Sequence, residues 1–388
     1  MVSFDNTETA FADRTDHELN RAHLLFKLVG NPTLVKLGKS ALNVALALKL
    51  PVKGLIRSTV FNHFCGGEHI TDCESTIERL HASGIYTLLD YSAEGKETTA
   101  DFEYAATETI ATIRMAHQDP RVPFSVFKPT GIIPYRLLAK KNARAKFNQE
   151  EELEWKLAME RVKLICEAGK ENNVPIFIDA EETWFQDAID EMVEDLMETY
   201  NREKAMVYNT IQLYRKDRLQ YLKDSFAKAQ ENGYKLGVKL VRGAYMEKER
   251  VRAKEQGYPS PIHPTKADTD LYYDLALKFC IENHQNIEIL AGTHNEKSSK
   301  YLTELMLERG LKTNDGRIFF SQLFGMSDNI SFNLAANHYN VVKYVPYGPI
   351  LEVMPYLIRR AEENTSIAGQ TGRELSLIIK EKARRRAS

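Results

Sequence analysis

Eight short apolar runs, each closing on polar residues or glycine, constrain this chain more than any other feature. They are "GIYTLLDYS" (84–92), "FSVFKPT" (124–130), "VPIFIDAEE" (174–182), "MVYNTIQLY" (206–214), "KLGVKLVRGAY" (235–245), "IEILAGTHN" (287–295), "RIFFSQLFG" (317–325) and "NVVKYVPYG" (340–348). Runs that are apolar on both faces read as buried parallel strands rather than alternating surface strands. Helical stripes separate them. Ile189, Met192, Val193, Leu196 and Met197 form one. Ala158, Val162, Ile165, Cys166 and Gly169 form another. Parallel neighbours need crossover helices, and eight such units close a sheet. The expected fold class is therefore α/β: a (β/α)8 TIM-like barrel over 81–388, preceded by an N-terminal helical arm over 1–80. Within the arm "HELNRAHLLFKLVG" is amphipathic, and Gly66-Gly67 marks a break.

At 388 residues and 43% apolar content the chain fills a sizeable core. Lys+Arg of 52 against Asp+Glu of 54 leaves a formal charge of -2, so nucleic acid held by counterion release is not expected. The acidic start "MVSFDNTETAFADRTDHE" lacks secretory and transit patterns, and no run approaches the roughly 18 to 20 apolar residues of a bilayer span. A cytoplasmic, non-spanning chain is expected. Cys65, Cys73, Cys166 and Cys280 read as reduced structural thiols. His63, Cys65, His69 and Cys73 lack the spacing of a standard zinc finger, and no metal site is expected. The stretch 34–57 mixes Lys36, Lys39, Lys49, Lys53 and Arg57 with apolar residues, which suits either a packing helix or an interfacial segment on anionic lipid. The Pro-rich loop "GYPSPIHPTKADTD" (257–270) is long enough to cover a barrel mouth or a cofactor tail.

Active sites of such barrels gather at the carboxyl ends of the strands, and those ends are polar here. In order they carry Asp90, Lys128, Asp179 with Glu181, Gln212, Lys239 with Arg242, Thr293-His294-Asn295, Gln322 and Tyr344. A helix expected over 349–364 bears an apolar stripe of Ile350, Met354, Leu357, Ile358 and Ala361. Glu352, Tyr356, Arg359 and Glu363 share another face, with Arg360 alongside. Two readings stand: a solvated face with an Arg359–Glu363 pair, or an arginine couple turned inward to grip a carboxylate in bidentate geometry. Asp179 and Glu181 have no histidine cluster beside them and do not make a metal site. No G-x-G-x-x-G follows a strand, so a Rossmann domain is not expected.

The stretches "VKLVRGAYMEKER" (238–250), "GTHNEKSS" (292–299), "QLFGMSDN" (322–329) and "YVPYGPILEVMPYLIRRAEEN" (344–364), with "FIDAEET" (177–183) and "LLDYSAEG" (88–95), resemble the FAD-dependent proline dehydrogenase family. The resemblance runs from about residue 60 to the C-terminus. It implies a monofunctional enzyme that oxidises L-proline to Δ1-pyrroline-5-carboxylate by hydride transfer to FAD. Electrons would pass on to a membrane quinone, from a peripheral position at the inner face of the cell membrane. A separate pyrroline-5-carboxylate dehydrogenase would take the product.

The resemblance also implies roles for single residues. Arg359 and Arg360 bind the proline carboxylate, Lys128 adds a third cation, Glu363 braces the arginines, and Glu94 pairs with one of them to close a lid. Tyr344, Leu323 and Tyr356 line the substrate ring, and Tyr344 favours proline over hydroxyproline. Ala180, Gln212, Arg242, Gly243, Ala244, Tyr245, Thr293, His294 and Asn295 contact FAD, with Gly243 letting the cofactor approach the backbone. The helix start after Thr293 and His294 would offer N–H groups to the pyrophosphate or adenylate. Lys239, where bifunctional bacterial members carry arginine, would place a cation at flavin N5, with Asp179 anchoring the site. Hydroxyproline dehydrogenase, a non-catalytic barrel and a folate-reductase-like flavin barrel are the alternatives. The last of these has no use for two carboxylate-gripping arginines.

Overall fold

A computed structural model describes residues 2–31, 33–38, 40, 48, 51–93, 97–366 and 370–387. Its eight parallel strands close a barrel in sequence order. They are β1 (Ile85–Tyr91), β2 (Phe124–Phe127), β3 (Ile176–Ile178), β4 (Val207–Gln212), β5 (Leu236–Val241), β6 (Ile287–Gly292), β7 (Ile318–Leu323) and β8 (Val341–Tyr347). Every strand lies inside its expected run, and the polar tail of most runs falls beyond the last paired residue. β2 stops before Lys128 because Pro129, which has no N–H to offer a ladder, opens a 3-10 turn over Pro129–Gly131.

The chain groups into two compact units, one spanning Lys96–Ser321 and one made of Val2–Gly95 with Gln322–Ser388. In the first unit the helix Gln149–Asn172 buries Ala158, Val162, Ile165, Cys166 and Gly169, and the helix Thr183–Tyr200 buries Ile189, Met192, Val193 and Met197. These are the expected stripes at helical spacing, Leu196 lying at the half-buried edge of the second. Capping boxes built on Thr98, Asn148 and Thr265 start three of this unit's helices. Phe124, Phe177, Tyr208 and Phe319 stack in the barrel interior, with ring centroids 4.6 to 5.1 Å apart along the chain of contacts. Phe124 of β2 meets Phe319 of β7 across the barrel, so the lumen there is solid.

In the second unit β1 pairs with β8 from Ile85↔Val341 to Tyr91↔Tyr347. The break at Gly66-Gly67 brings the arm against β8: Gly66 N–H donates to Pro346 O at 2.9 Å, and a Cβ on Gly66 would stand 2.7 Å from Val345. His63 donates from Nε2 to Gly325 O at 2.9 Å, and burial pushes its ring down to about 4, so it stays neutral. Cys65 and Cys73 are buried, and burial pushes the Cys73 thiol up to about 12. The helix Asp16–Val29 packs Leu19, Phe26 and Val29 with Leu377 and Ile378 of the C-terminal helix Gln370–Ala387. Much of the stretch 34–57 lies outside the described residues. Among those described, no helix is long and apolar enough to cross a membrane.

A buried charge cluster holds this unit together. Lys343 of β8 is fully buried, and its Nζ sits 2.8 Å from Asp328 Oδ1 and donates to Met326 O at 2.6 Å. Asp328 Oδ2 takes Arg14 at 2.9 Å. Burial opposes the Asp328 charge, but Lys343 and Arg14 outweigh it and hold the carboxyl well below its ordinary range. Asp328→Ala would take the carboxylate from both cations, and removing one partner of a buried pair costs about 3–5 kcal/mol. Urea melts at pH 7 should show that loss. Because the folded carboxyl is depressed, its contribution is full above the unfolded value of about 4 and fades as pH falls below it. The gap between wild type and variant should therefore shrink in acid.

Candidate active site

The first unit gathers the polar ends of β2 to β6. Lys239, on β5 opposite Thr210 of β4, is 7% exposed and ion-pairs through Nζ with Asp179 Oδ1 at 2.5 Å. Thr210 Oγ1 donates to the same oxygen at 3.4 Å. A lysine on one strand is thus coupled to the carboxylate ending β3 through the strand between them. Two residues singled out separately from the sequence thus meet, Lys239 buried and Asp179 half-buried.

Two residues beyond Asp179, Glu181 gathers partners from three other strand ends. Its Oε1 accepts from Thr130 Oγ1 at 2.7 Å and Thr130 N at 3.3 Å, and its Oε2 accepts from Tyr245 Oη at 3.0 Å. Its own N–H donates to Gln186 Oε1 at 2.8 Å, and its carbonyl accepts from Gln212 Nε2 at 2.7 Å. Burial, with the neighbouring Glu182 charge, pushes the Glu181 carboxyl up to about 7 against the pull of Thr130 and Lys128. The sequence brings Glu181 to notice only as the neighbour of Asp179 at the end of the third apolar run. Its partners lie 51 and 64 residues away, and no motif spacing links them.

Gln212 spends its side chain on the protein, donating to Glu181 O and accepting from Ala244 N at 3.4 Å. Arg242, one residue past β5, reaches across to β6. Its Nε meets Asp270 at 2.6 Å, Nη1 donates to Thr293 Oγ1 at 2.6 Å, and Nη2 donates to Ser298 Oγ at 2.9 Å. The guanidinium lies 4.4 Å from the Tyr273 ring centroid. Asp270, Tyr273 and Ser298 come from helices that no local signal linked to "RGAY".

Two expected features take a different form. Gly243 turns at φ +131°, and a Cβ there would stand 2.5 Å from the Tyr214 ring, so the space a side chain would need belongs to Tyr214. The start of the helix Glu296–Glu308 is capped from within: Asn295 Oδ1 accepts from Lys297 N and Ser298 N, and Thr293 Oγ1 accepts from Asn295 N. Asn295 thereby holds N–H groups that the sequence reading offered to a phosphate. His294 lies between them, half-buried. The Pro-rich loop is stitched to the turn after β4, where Lys216 N–H donates to Pro261 O at 3.0 Å and His263 N–H to Tyr214 O at 2.8 Å.

In the second unit the arginine helix starts later than expected, at Met354, and runs to Ser366. Residues 349–353 form a turn, where Glu352 and Val353 both donate to Pro349 O and Ile350 N–H is taken by Glu68 Oε2 at 3.2 Å. Ile350, Met354 and Leu357 are buried as expected, but so is Tyr356, which joins their cluster with Phe61 and Phe64. Arg360, four residues on, is 7% exposed with its guanidinium 5.0 Å from the Tyr356 ring centroid, and Arg359 is half-buried. The couple does not lie on an open solvated face. Tyr344 is buried in β8, and its carbonyl accepts from Phe324 N at 2.9 Å, next to half-buried Leu323. Gln322 turns away from the barrel lumen to take Ser331 Oγ of the following helix at 2.8 Å. Glu94 and the side chain of Glu363 lie outside the described residues.

Comparison with known proteins places these features in a family. The family model for proline dehydrogenase matches residues 73–373. Proline dehydrogenase 1, mitochondrial, of Dictyostelium discoideum is 31% identical over 98% of this chain and 74% of its own. Hydroxyproline dehydrogenase of Xenopus laevis is 29% identical over 97% and 88%. The crystal structure of proline utilization A from Bdellovibrio bacteriovorus, inactivated by N-propargylglycine, superposes with a TM-score of 0.71 at 20% identity. That match takes in 94% of this chain and 37% of the other, and it bears on the fold alone. With the barrel, the strand-end carboxylates and lysines, and the arginine helix all inside the matched span or bordering it, the chain belongs to the proline dehydrogenase family.

Proposed function

We propose that this chain oxidises L-proline at the ring carbon beside nitrogen, giving Δ1-pyrroline-5-carboxylate, with FAD as redox cofactor and a membrane quinone as the final acceptor. The observation that carries the reading is Arg360, a guanidinium nine-tenths buried on an aromatic ring beside a second arginine, within the matched family span. A planar guanidinium laid against an aromatic ring presents its fork in a fixed plane, the geometry that a carboxylate meets in bidentate fashion. Proline supplies a carboxylate, and two planar forks suit it better than ammonium groups would.

The donors proposed to hold the flavin, Lys239, Gln212, Arg242, Tyr245, Thr293 and Asn295, sit on β4 to β6 and the turns beyond them, and each serves a protein partner that the bound cofactor would share or replace. Ala180, Gly243, Ala244 and His294 complete the proposed cofactor set. When bound, FAD supplies the hydride acceptor and the route to the quinone. The chain itself then has three tasks. Asp179 holds Lys239 Nζ in place, so that a buried positive charge stands where negative charge develops. Arg359 and Arg360 orient the substrate through its carboxylate, and Lys128 adds positive charge at the end of β2. Tyr344, Leu323 and Tyr356 supply apolar surface for the ring, with Glu363 and Glu94 as braces. No protein nucleophile is required, so positioning and charge placement are the whole of the protein's contribution.

Delivery to a quinone calls for a lipid contact. Leu24, Leu28, Leu34, Leu37 and Leu55 are exposed, from 46% to 67%, in an arm that also carries Lys27, Lys36 and Lys53. Apolar side chains interleaved with cations suit a peripheral contact with anionic lipid. Flotation with anionic liposomes should recover the protein in low salt and less of it in high salt. No recovery in low salt, with the flavin reduced, refutes the contact.

The principal test is a visible spectrum under anaerobic conditions. Flavin bands should bleach on adding L-proline, with kcat/KM at least about 10-fold above that for hydroxyproline, the scale on which a pocket rejects an added hydroxyl. Absence of bands after reconstitution with FAD would leave a non-catalytic barrel. Arg360→Lys keeps the charge but loses the fork. It should raise the KM for L-proline by roughly 10- to 100-fold, the worth of one charge-assisted hydrogen bond or two, with a smaller change in kcat.

A further inference from the structure

We propose that Glu181 is a positioning residue for the proposed reaction, an ionised strut that fixes the Arg242–Tyr245 turn against the turn after Lys128 and sets the hydrogen-bond polarity of Tyr245. The inference rests on the flavin and proline reading, which assigns Tyr245 and Lys128 to bound molecules, and it adds a residue to which that reading gives no role.

Four strand ends meet on this one residue. Thr130 follows β2, Glu181 itself follows β3, Gln212 ends β4, and Tyr245 follows β5. Glu181 reaches the first and last through its carboxylate and the middle one through its carbonyl. Both carboxylate oxygens face donors and the group is 3% exposed, so water does not substitute for any of them. A carboxylate that accepts from three donors on two oxygens does so at full strength while ionised. Oε1 already takes two hydrogens from Thr130, so an added proton goes to Oε2, where Tyr245 Oη donates. The tyrosine hydroxyl must then accept from the acid and turn its own hydrogen elsewhere. The state of Glu181 thus decides whether Tyr245 shows lone pairs or a hydrogen to its next neighbour.

The surrounding charges poise the group. Glu182 on the same loop disfavours ionisation, although Lys248 pairs with it at 2.9 Å. Lys128 from the β2 end and the Thr130 donors favour it. Asp179, two residues back, is tied to Lys239. Burial dominates, and the carboxyl sits at about 7, inside the working range rather than far below it.

The test compares wild type, Glu181→Gln, Thr130→Val and Tyr245→Phe as flavin-bound proteins. In wild type kcat/KM for L-proline should rise with pH through an ionisation near 7. In Glu181→Gln that ionisation should vanish and KM should rise roughly 10-fold, with the flavin bands retained. Thr130→Val, which removes a donor that favours the charge, should move the midpoint up. An unchanged midpoint near 7 in Glu181→Gln, with KM within about twofold, overturns the proposal.

Thermal melts give a second readout that does not need turnover. The folded carboxyl lies above its unfolded value of about 4.3. The folded chain therefore binds the extra proton between there and 7, and wild-type stability falls as pH rises through that window. Glu181→Gln does not titrate, so its melting temperature should gain on wild type from pH 5 to 8. In Tyr245→Phe the same wild-type-like fall should shift upward in pH. A constant gap between wild type and Glu181→Gln across that range overturns the proposal even where proline bleaches the flavin. A wild type that ignores proline overturns the proposed function instead, and the positioning role in that reaction with it, while the melts still show whether Tyr245 and Glu181 are coupled.

Discussion

Parallel pairing is the constraint on which everything else in this protein depends. A parallel ladder obliges the chain to return to the same end after each strand, so eight strands demand intervening helices and send all eight carboxyl ends to one rim. The opposite end needs no openings, and in the first unit it is filled by Phe124, Phe177, Tyr208 and Phe319. Polar residues are thereby confined to the rim and the loops beyond it. There the backbone has left the ladder and must find partners elsewhere, so side chains such as Gln212, Thr293 and Asn295 do double duty as backbone caps.

The two buried lysines show how the same chemistry serves different ends. Lys343 points out of β8 into the helices and meets a carboxylate that is shared with Arg14, plus the carbonyl of Met326. The Leu323 carbonyl at 3.4 Å is a further acceptor, so its partners are one helix carboxylate and backbone carbonyls, and its loss would be read in stability. Lys239 has Asp179 at 2.5 Å and sits inside β5, two residues before its end, among groups proposed to meet a cofactor. A buried pair is a poor way to stabilise a fold, since a hydrophobic pair of the same volume does as well or better. The Lys239–Asp179 pair is therefore not accounted for by stability alone, whereas the Lys343–Asp328–Arg14 cluster joins the N-terminal arm to β8 and the helix Asp328–Ala336.

Much of the architecture was legible because strand burial is written in runs of Val, Ile, Leu and Phe. The tails of those runs were not strand, and Pro129 shows why, since apolar content says nothing of where the ladder loses its N–H donors. Within the site, residues adjacent in sequence were legible and residues brought together by the fold were not. "RGAY" drew attention to Arg242, but nothing in it pointed to Asp270 or Ser298. "IDAEE" drew attention to Asp179, while Glu181, two positions on, became the hub because Thr130 and Tyr245 arrive from other strands. Gln322 was misplaced for a related reason: period-two alternation decides which way a strand-end residue faces, and one position turned it outward to Ser331.

The arginine helix is the sharpest case. Helical spacing offered Arg359 a partner at Glu363 and left Tyr356 on the same polar face. The same i,i+4 rule also joins Tyr356 to Arg360, and that is the pair whose geometry is in hand, with the guanidinium over the ring. Spacing does not rank them, because both satisfy it. For Arg360 burial adds what spacing lacks: Tyr356 falls in with Ile350, Val353 and Phe64, and an aromatic face anchored in a core gives a guanidinium a low-entropy backing. A guanidinium so held has lost part of its freedom in advance, which lowers what any partner of its fork must spend in ordering it. The position that composition would leave to solvent is in this way buried against an aromatic ring.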